Sequence, residues 1–184
     1  SNRCAPRLVT TTITACLLYL LSGFAFGEEP LPLASVSAIA VEVDSGTTRF
    51  AKNAEVILPI ASITKLMTAL VVIESGASLT EWLKVTDWNA TQAKNAYSRI
   101  RIDSQAKRAD LLRIALMSSE NRAAFNLGVH YRGGVQGLVN AMNTKAAALG
   151  MSDTHFADPT GLSADNKSSA RDLAKMVIGA HAHP

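Results

Sequence analysis

From Ile63 to Ile73 the chain carries only three polar residues, Thr64, Lys65 and Thr68. Ile63, Leu66, Met67, Ala69, Leu70, Val71, Val72 and Ile73 fill nearly every direction of a helical projection. A helix that is apolar nearly all round is a buried one. Residues 62–74 are therefore expected to form a helix, closed by Ser75-Gly76, that other elements must wrap. At 184 residues the chain is long enough for one domain with a core of that kind.

The wrapping elements can be read from local pattern. In residues 37–43, Ile39, Val41 and Val43 alternate with Ala38, Ala40 and Glu42, which reads as a strand. Asp44-Ser45-Gly46 is a hairpin turn, and 47–51 is the returning strand, ended by Lys52-Asn53. A lone hairpin is not a stable sheet, so it needs partners. A helix is expected over 109–118, with Leu111, Leu112, Ala115 and Leu116 inward and Asp110 in its first turn. A second begins after Ser118-Ser119-Glu120, carries Ala123, Ala124, Phe125 and Leu127, and ends at Gly128. A third comes after Gly133-Gly134, buries Val135, Leu138, Val139, Met142, Ala146 and Leu149, and stops at Gly150. Residues 156–166 form a Pro/Gly loop, after which the capping box Ser169-Ala170-Arg171-Asp172 opens a last helix through Leu173, Met176 and Val177. Residues 80–101 are less regular. Leu79, Trp82, Leu83 and Trp88 can serve core or cleft there, and Ser98-Arg99-Ile100-Arg101-Ile102 has strand alternation. The expectation is two or three strands and about five helices, an α/β (α+β) body whose one hairpin lacks its sheet.

The first thirty residues do not belong to that body. Arg3 and Arg7 precede an uncharged run from Leu8 to Gly27, and Ala25-Phe26-Gly27 offers small residues for cleavage. Residues 1–27 read as a secretory signal peptide, with an uncleaved anchor as the alternative. Both cysteines, Cys4 and Cys16, lie in it, so residues 28–184 contain neither a disulfide nor a thiol nucleophile. Removing Arg3 and Arg7 lowers the net charge from +3 to +1. The cluster Lys94, Arg99, Arg101, Lys107 and Arg108 lacks regularly spaced aromatics, so no nucleic-acid partner is expected.

Ser62 and Lys65 stand one turn apart on the helical face continued by Ala69 and Val72. Lys65 has small or apolar neighbours, in a first turn where the dipole disfavours a cation by about 0.3–1 kcal/mol. Both effects lower its proton affinity, so it can take the proton of a serine. A nucleophile at a helix start also brings a developing oxyanion near free backbone N–H groups. The same spacing fits a serine that merely caps a helix. Ser119 and Asn121 fall at the break between two apolar helices. From there a hydroxyl can relay a proton and an amide can hold a substrate amide, or one of the two caps the next helix. Glu120 is a further candidate base, or a partner of Arg122 or Arg113. His155 with Asp153 and Asp158 matches no standard metal spacing, and His181 and His183 read as tail residues.

These stretches together resemble the low-molecular-weight penicillin-binding proteins, the serine D-Ala-D-Ala peptidases, and among them the D-alanyl-D-alanine endopeptidases. The resemblance rests on Ala61-Ser62-Ile63-Thr64-Lys65-Leu66-Met67-Thr68, Met117-Ser118-Ser119-Glu120-Asn121-Arg122-Ala123-Ala124, Met142-Asn143-Thr144-Lys145-Ala146, and Gly150-Met151-Ser152-Asp153-Thr154-His155-Phe156 running into Asp158-Pro159-Thr160-Gly161-Leu162-Ser163. It implies a penicillin-binding transpeptidase/β-lactamase-like fold. It also implies Ser62, Lys65 and Ser119 as catalytic residues and Asn121 as a substrate-binding residue. Peptidoglycan stem peptides would be the substrate and β-lactams covalent inhibitors. No metal or organic cofactor is implied. The location would be periplasmic, with peripheral inner-membrane association allowed. The family also has a Lys-Thr-Gly strand after the last helix, on a five-stranded sheet, and no Lys-Thr-Gly occurs in this chain. Residues 28–184 are thus expected to be an incomplete peptidase domain, with only the N-terminal hairpin of the sheet. The alternatives are a D-Ala-D-Ala carboxypeptidase of the same family and a truncated, non-catalytic cell-wall-binding homologue. A class A β-lactamase fits Ser-x-x-Lys but has aspartate where Glu120 stands.

Overall fold

The computed structural model describes residues 33–87 and 97–183. The chain divides into two compact units, Ser1–Ala34 and Ser35–Pro184. The expected signal segment, both cysteines, Trp88 and Lys94 lie outside the described residues.

In the second unit, α1 (Thr64–Glu74) comes directly after a single 3-10 turn, Ala61–Ile63. Thr64, Lys65 and the whole run Met67–Val72 are buried. The apolar circumference expected of this segment is wrapped by the four other described helices, α2 (Arg108–Met117), α3 (Asn121–Val129), α4 (Gly134–Ala148) and α5 (Ala170–His181), each of which packs against α1. Met67, Leu70 and Val72 join Leu111, Leu127, Leu138, Met142, Phe156 and Met176 in one core.

The hairpin forms as expected. β1 (Ala38–Val41) and β2 (Thr48–Lys52) pair antiparallel from Ala38 opposite Lys52 to Val41 opposite Thr48, with a bulge at Ala40/Val41. No other described strand joins it, and β1 rests on α5. Two further ladders were not expected. β3 (Leu58–Pro59) pairs with β6 (Lys167–Ser168), and β4 (Trp82–Lys84) pairs with β5 (Gln105–Lys107). The β3–β6 ladder bears on the site, because it ties the chain just before α1 to the chain just after the Pro/Gly loop.

Three local expectations change. Residues 98–102 do not form a strand. The Ser104 hydroxyl and amide both bond to the Arg101 carbonyl and close a turn there, so the ladder starts only at Gln105. Leu116 faces solvent at 47 % exposure, whereas Leu111, Leu112 and Ala115 are buried as expected. Gly128 does not end its helix. It is buried inside α3, where a Cβ would sit 3.3 Å from Leu138. Ser169 does cap α5, accepting from the Asp172 amide at 3.2 Å. The Asp172 carboxylate, however, turns away to the Asp153 amide, the Thr154 hydroxyl and Lys175.

Candidate active site

Lys65 is 1 % exposed, and its ammonium lies among three acceptors. Its Nζ donates to Ser62 Oγ at 3.1 Å, Asn121 Oδ1 at 2.8 Å and the Thr160 carbonyl at 2.6 Å. A buried charge persists only when its hydrogen-bonding capacity is met, and here all three donors are used. Burial is the dominant influence and lowers its pKa from the ordinary lysine value. The negative charges of Asp158 and then Glu120 act the other way. The expectation of a lysine with weakened proton affinity therefore stands, with packing as its main cause.

The three acceptors are not equivalent. The Thr160 carbonyl and Asn121 Oδ1 can only accept, whereas the Ser62 hydroxyl can also donate. When Lys65 loses a proton, its two remaining N–H groups are claimed by Thr160 and Asn121. Its lone pair is then left facing Ser62 Oγ. The surroundings thus orient a neutral Lys65 toward the Ser62 hydroxyl.

Each element contributes for a local reason. Ser62 is exposed in the 3-10 turn, after Ala61, whose φ of +46° puts a residue with a Cβ in the left-handed region. Opposite, the break between α2 and α3 passes through Ser119, also left-handed at φ +53°. Neither Ser119 nor Asn121 caps α3. The Glu120 carboxylate does so by accepting from the Ala123 amide at 2.5 Å, which leaves Asn121 free to reach Lys65. Ser119 is exposed and makes no hydrogen bond among the described residues. The structure therefore brings Ser62, Lys65 and Asn121 into contact, while Ser119 stands on the adjoining wall. That wall, Ser118–Asn121 with Tyr97, Arg99, Ile100 and Ile114, borders a cleft of about 530 Å³, and Asn121 belongs both to it and to the lysine cluster.

The third group around Lys65 is a backbone carbonyl, which no side-chain motif announces. The loop that carries Thr160 presses closely on the serine turn. Gly161 has φ +86°, and a Cβ there would lie 1.9 Å from the Ala61 carbonyl oxygen. Among the described residues, no group of three or more His, Cys, Asp or Glu side chains is placed to hold a metal.

Residues 25–182 match the D-alanyl-D-alanine carboxypeptidase family. The chain belongs to that family. It is 46 % identical over 152 residues to a D-alanyl-D-alanine endopeptidase of Escherichia coli and 45 % identical over 152 residues to one of Pseudomonas aeruginosa. Each alignment covers 83 % of this chain and 49 % of the relative, so the chain spans about half the length of these curated relatives. Among solved structures, a variant of the Streptomyces K15 DD-transpeptidase superposes with a TM-score of 0.77 at 26 % identity, over 82 % of this chain and 62 % of that one. Penicillin-binding protein D2 of Listeria monocytogenes, in a cefotaxime-bound form, superposes with a TM-score of 0.73 at 31 % identity, over 84 % and 65 %. The expected penicillin-binding, β-lactamase-like fold is thus the family fold, and the cluster around Lys65 lies within the matched residues.

Proposed function

We propose that this chain carries the acylation site of a serine-type D-Ala-D-Ala endopeptidase that cleaves peptide crosslinks of peptidoglycan. One observation carries the reading: among the described residues, a buried lysine has three hydrogen-bond acceptors, of which the Ser62 hydroxyl, 3.1 Å away, is the one that can also donate. In this mechanism Lys65, neutral, takes the Ser62 proton as Oγ adds to the carbonyl of a D-Ala residue. The tetrahedral oxyanion forms at the serine turn, within reach of a backbone N–H donor there. The C–N bond then breaks. The leaving amine takes the proton held on Lys65, with the Ser119 hydroxyl as relay, and water later hydrolyses the ester. Asn121 keeps its Oδ1 on Lys65 and turns its NH₂ to a substrate carbonyl. β-Lactams would acylate the same Ser62 oxygen. The signal-like segment 1–27 supports a periplasmic location, where the substrate is, with peripheral contact to the inner membrane.

The names of the two bacterial relatives favour endopeptidase over carboxypeptidase activity. A crosslinked muropeptide dimer and a linear pentapeptide separate the two. Release of monomers from the dimer, lost in Ser62→Ala, is the expected result. Release of free D-Ala from the pentapeptide alone would give the carboxypeptidase. A non-catalytic homologue that only binds cell wall is the alternative outcome of the same assay. It predicts dimer binding without cleavage.

A further inference from the structure

Residues 158–161, Asp-Pro-Thr-Gly, form the kind of turn in which an aspartate gathers the amides after it. Here the gathering is extensive. Asp158 Oδ1 accepts from the Thr160 amide at 2.5 Å, the Thr160 hydroxyl at 2.7 Å and the Gly161 amide at 2.8 Å. Oδ2 accepts from the Ser163 amide at 2.7 Å. The turn is anchored behind by Asn166, whose amide group bonds to the Ala157 and Asp158 backbone and to Thr64 Oγ1. The Asn166 carbonyl receives the Ile60 amide at 3.0 Å. The consequence is directional. Two successive carbonyls face α1, Pro159 accepting from Thr68 Oγ1 at 2.8 Å and Thr160 accepting from Lys65 Nζ at 2.6 Å. Lys65 and Thr68 are three residues apart on one helical face, so the turn docks on that face by two adjacent backbone oxygens.

We propose that Asp158 is a positioning residue for Lys65: its carboxylate folds the turn that presents the Thr160 carbonyl, and so fixes which way the lysine nitrogen points. The assignment of Lys65 as a base rests on the acyl-transfer reading; the coupling of Asp158 to Lys65 is geometric. Two carboxylates bear on the lysine charge, Asp158 from this loop and Glu120 from the start of α3. Its hydrogen-bonding neighbours Ser62, Asn121 and Thr160 are uncharged. Both contributions of Asp158, its charge and the carbonyl it holds in place, favour the protonated amine. Removing the carboxylate weakens both, so the lysine gives up its proton at lower pH. A loop that merely loosened and admitted water would do the opposite and return Lys65 toward ordinary lysine behaviour.

The test tracks the Lys65 Cε resonance against pH in the ¹³C-lysine-labelled 184-residue chain, assigned through Lys65→Arg. Asp158→Asn is expected to move the midpoint to lower pH. Asp158→Ser, whose hydroxyl can still close the turn without a charge, is expected to move it the same way. Asp165→Asn, an exposed carboxylate of the same loop paired with Lys167 at 3.6 Å, is expected to leave it in place. An unchanged or raised midpoint in both Asp158 variants overturns the proposal. Labelled penicillin is applied to the same samples. A lowered midpoint in a chain whose wild type is never acylated upholds the coupling and removes the acyl-transfer reading. Acylation of the wild type with an unmoved midpoint does the reverse.

Discussion

Lys65 is placed where an isolated ammonium is unfavourable and is kept there by three acceptors, so its chemistry can be read from its surroundings. A base works only when neutral. Acylation of Ser62 is therefore expected to rise with pH through a midpoint below the ordinary lysine value of 10.5. Rates of penicillin labelling across pH check this, and a profile flat between about pH 6 and the alkaline limit would contradict it. Lys65→Arg keeps a cation that cannot be deprotonated and is expected to lose at least about a hundredfold in acylation rate. The same lowered affinity makes a stability prediction. Between the folded pKa of Lys65 and 10.5 the unfolded chain binds the proton more tightly, so the contribution of this group to stability rises with pH over that window. Urea melts of wild type and Lys65→Met at several pH values should show the difference between them shifting in favour of wild type as pH rises. A difference independent of pH would contradict the assignment.

At the scale of elements, the serine turn and the 158–163 turn act as one unit, closed at their base by the β3–β6 ladder and by Gly161 against Ala61. Gly161→Ala places a methyl in backbone at a left-handed position and is expected to cost about 1–3 kcal/mol or more, read from the urea midpoint at constant m-value. An unchanged midpoint would mean that the two turns are not in fixed contact. This unit was only half legible in the sequence. The apolar circumference of α1, the hairpin signal Asp44-Ser45-Gly46 and the 3–4 spacing along α4 are local patterns, and each gave its element. Ser62, Lys65 and Asn121 could be singled out because side chains carry the chemistry. The Thr160 carbonyl could not, since a backbone oxygen leaves no mark in a sequence. Asp158-Pro159-Thr160-Gly161 announces a turn but not the helix face it meets. The two- and three-residue strands escaped for a similar reason: their pairing is decided by distant partners rather than by alternation over a few positions. Glu120, read as a base or an ion-pair partner, serves as a helix cap, which a triplet of cap-capable residues does not resolve by itself.

At the scale of the molecule, α1 is the hub. The four other described helices pack on it, and the groups that meet at Lys65 come from the serine turn, the start of α3 and the loop before α5. Chain segments far apart in sequence therefore converge on one residue because a single buried helix organises the core. The hairpin β1–β2 is more peripheral: it touches α5, and Val43 on the hairpin and Val177 on α5 remain about half exposed. The hydrogen bonds that join Ser62, Lys65 and Asn121 involve no residue of the hairpin. The decisive experiment is to incubate the 184-residue chain with fluorescent penicillin, digest it and map the labelled peptide by mass. The prediction is an ester on Ser62, absent in Ser62→Ala. A label elsewhere, a label that survives that substitution, or a folded chain that takes no label at all would contradict it.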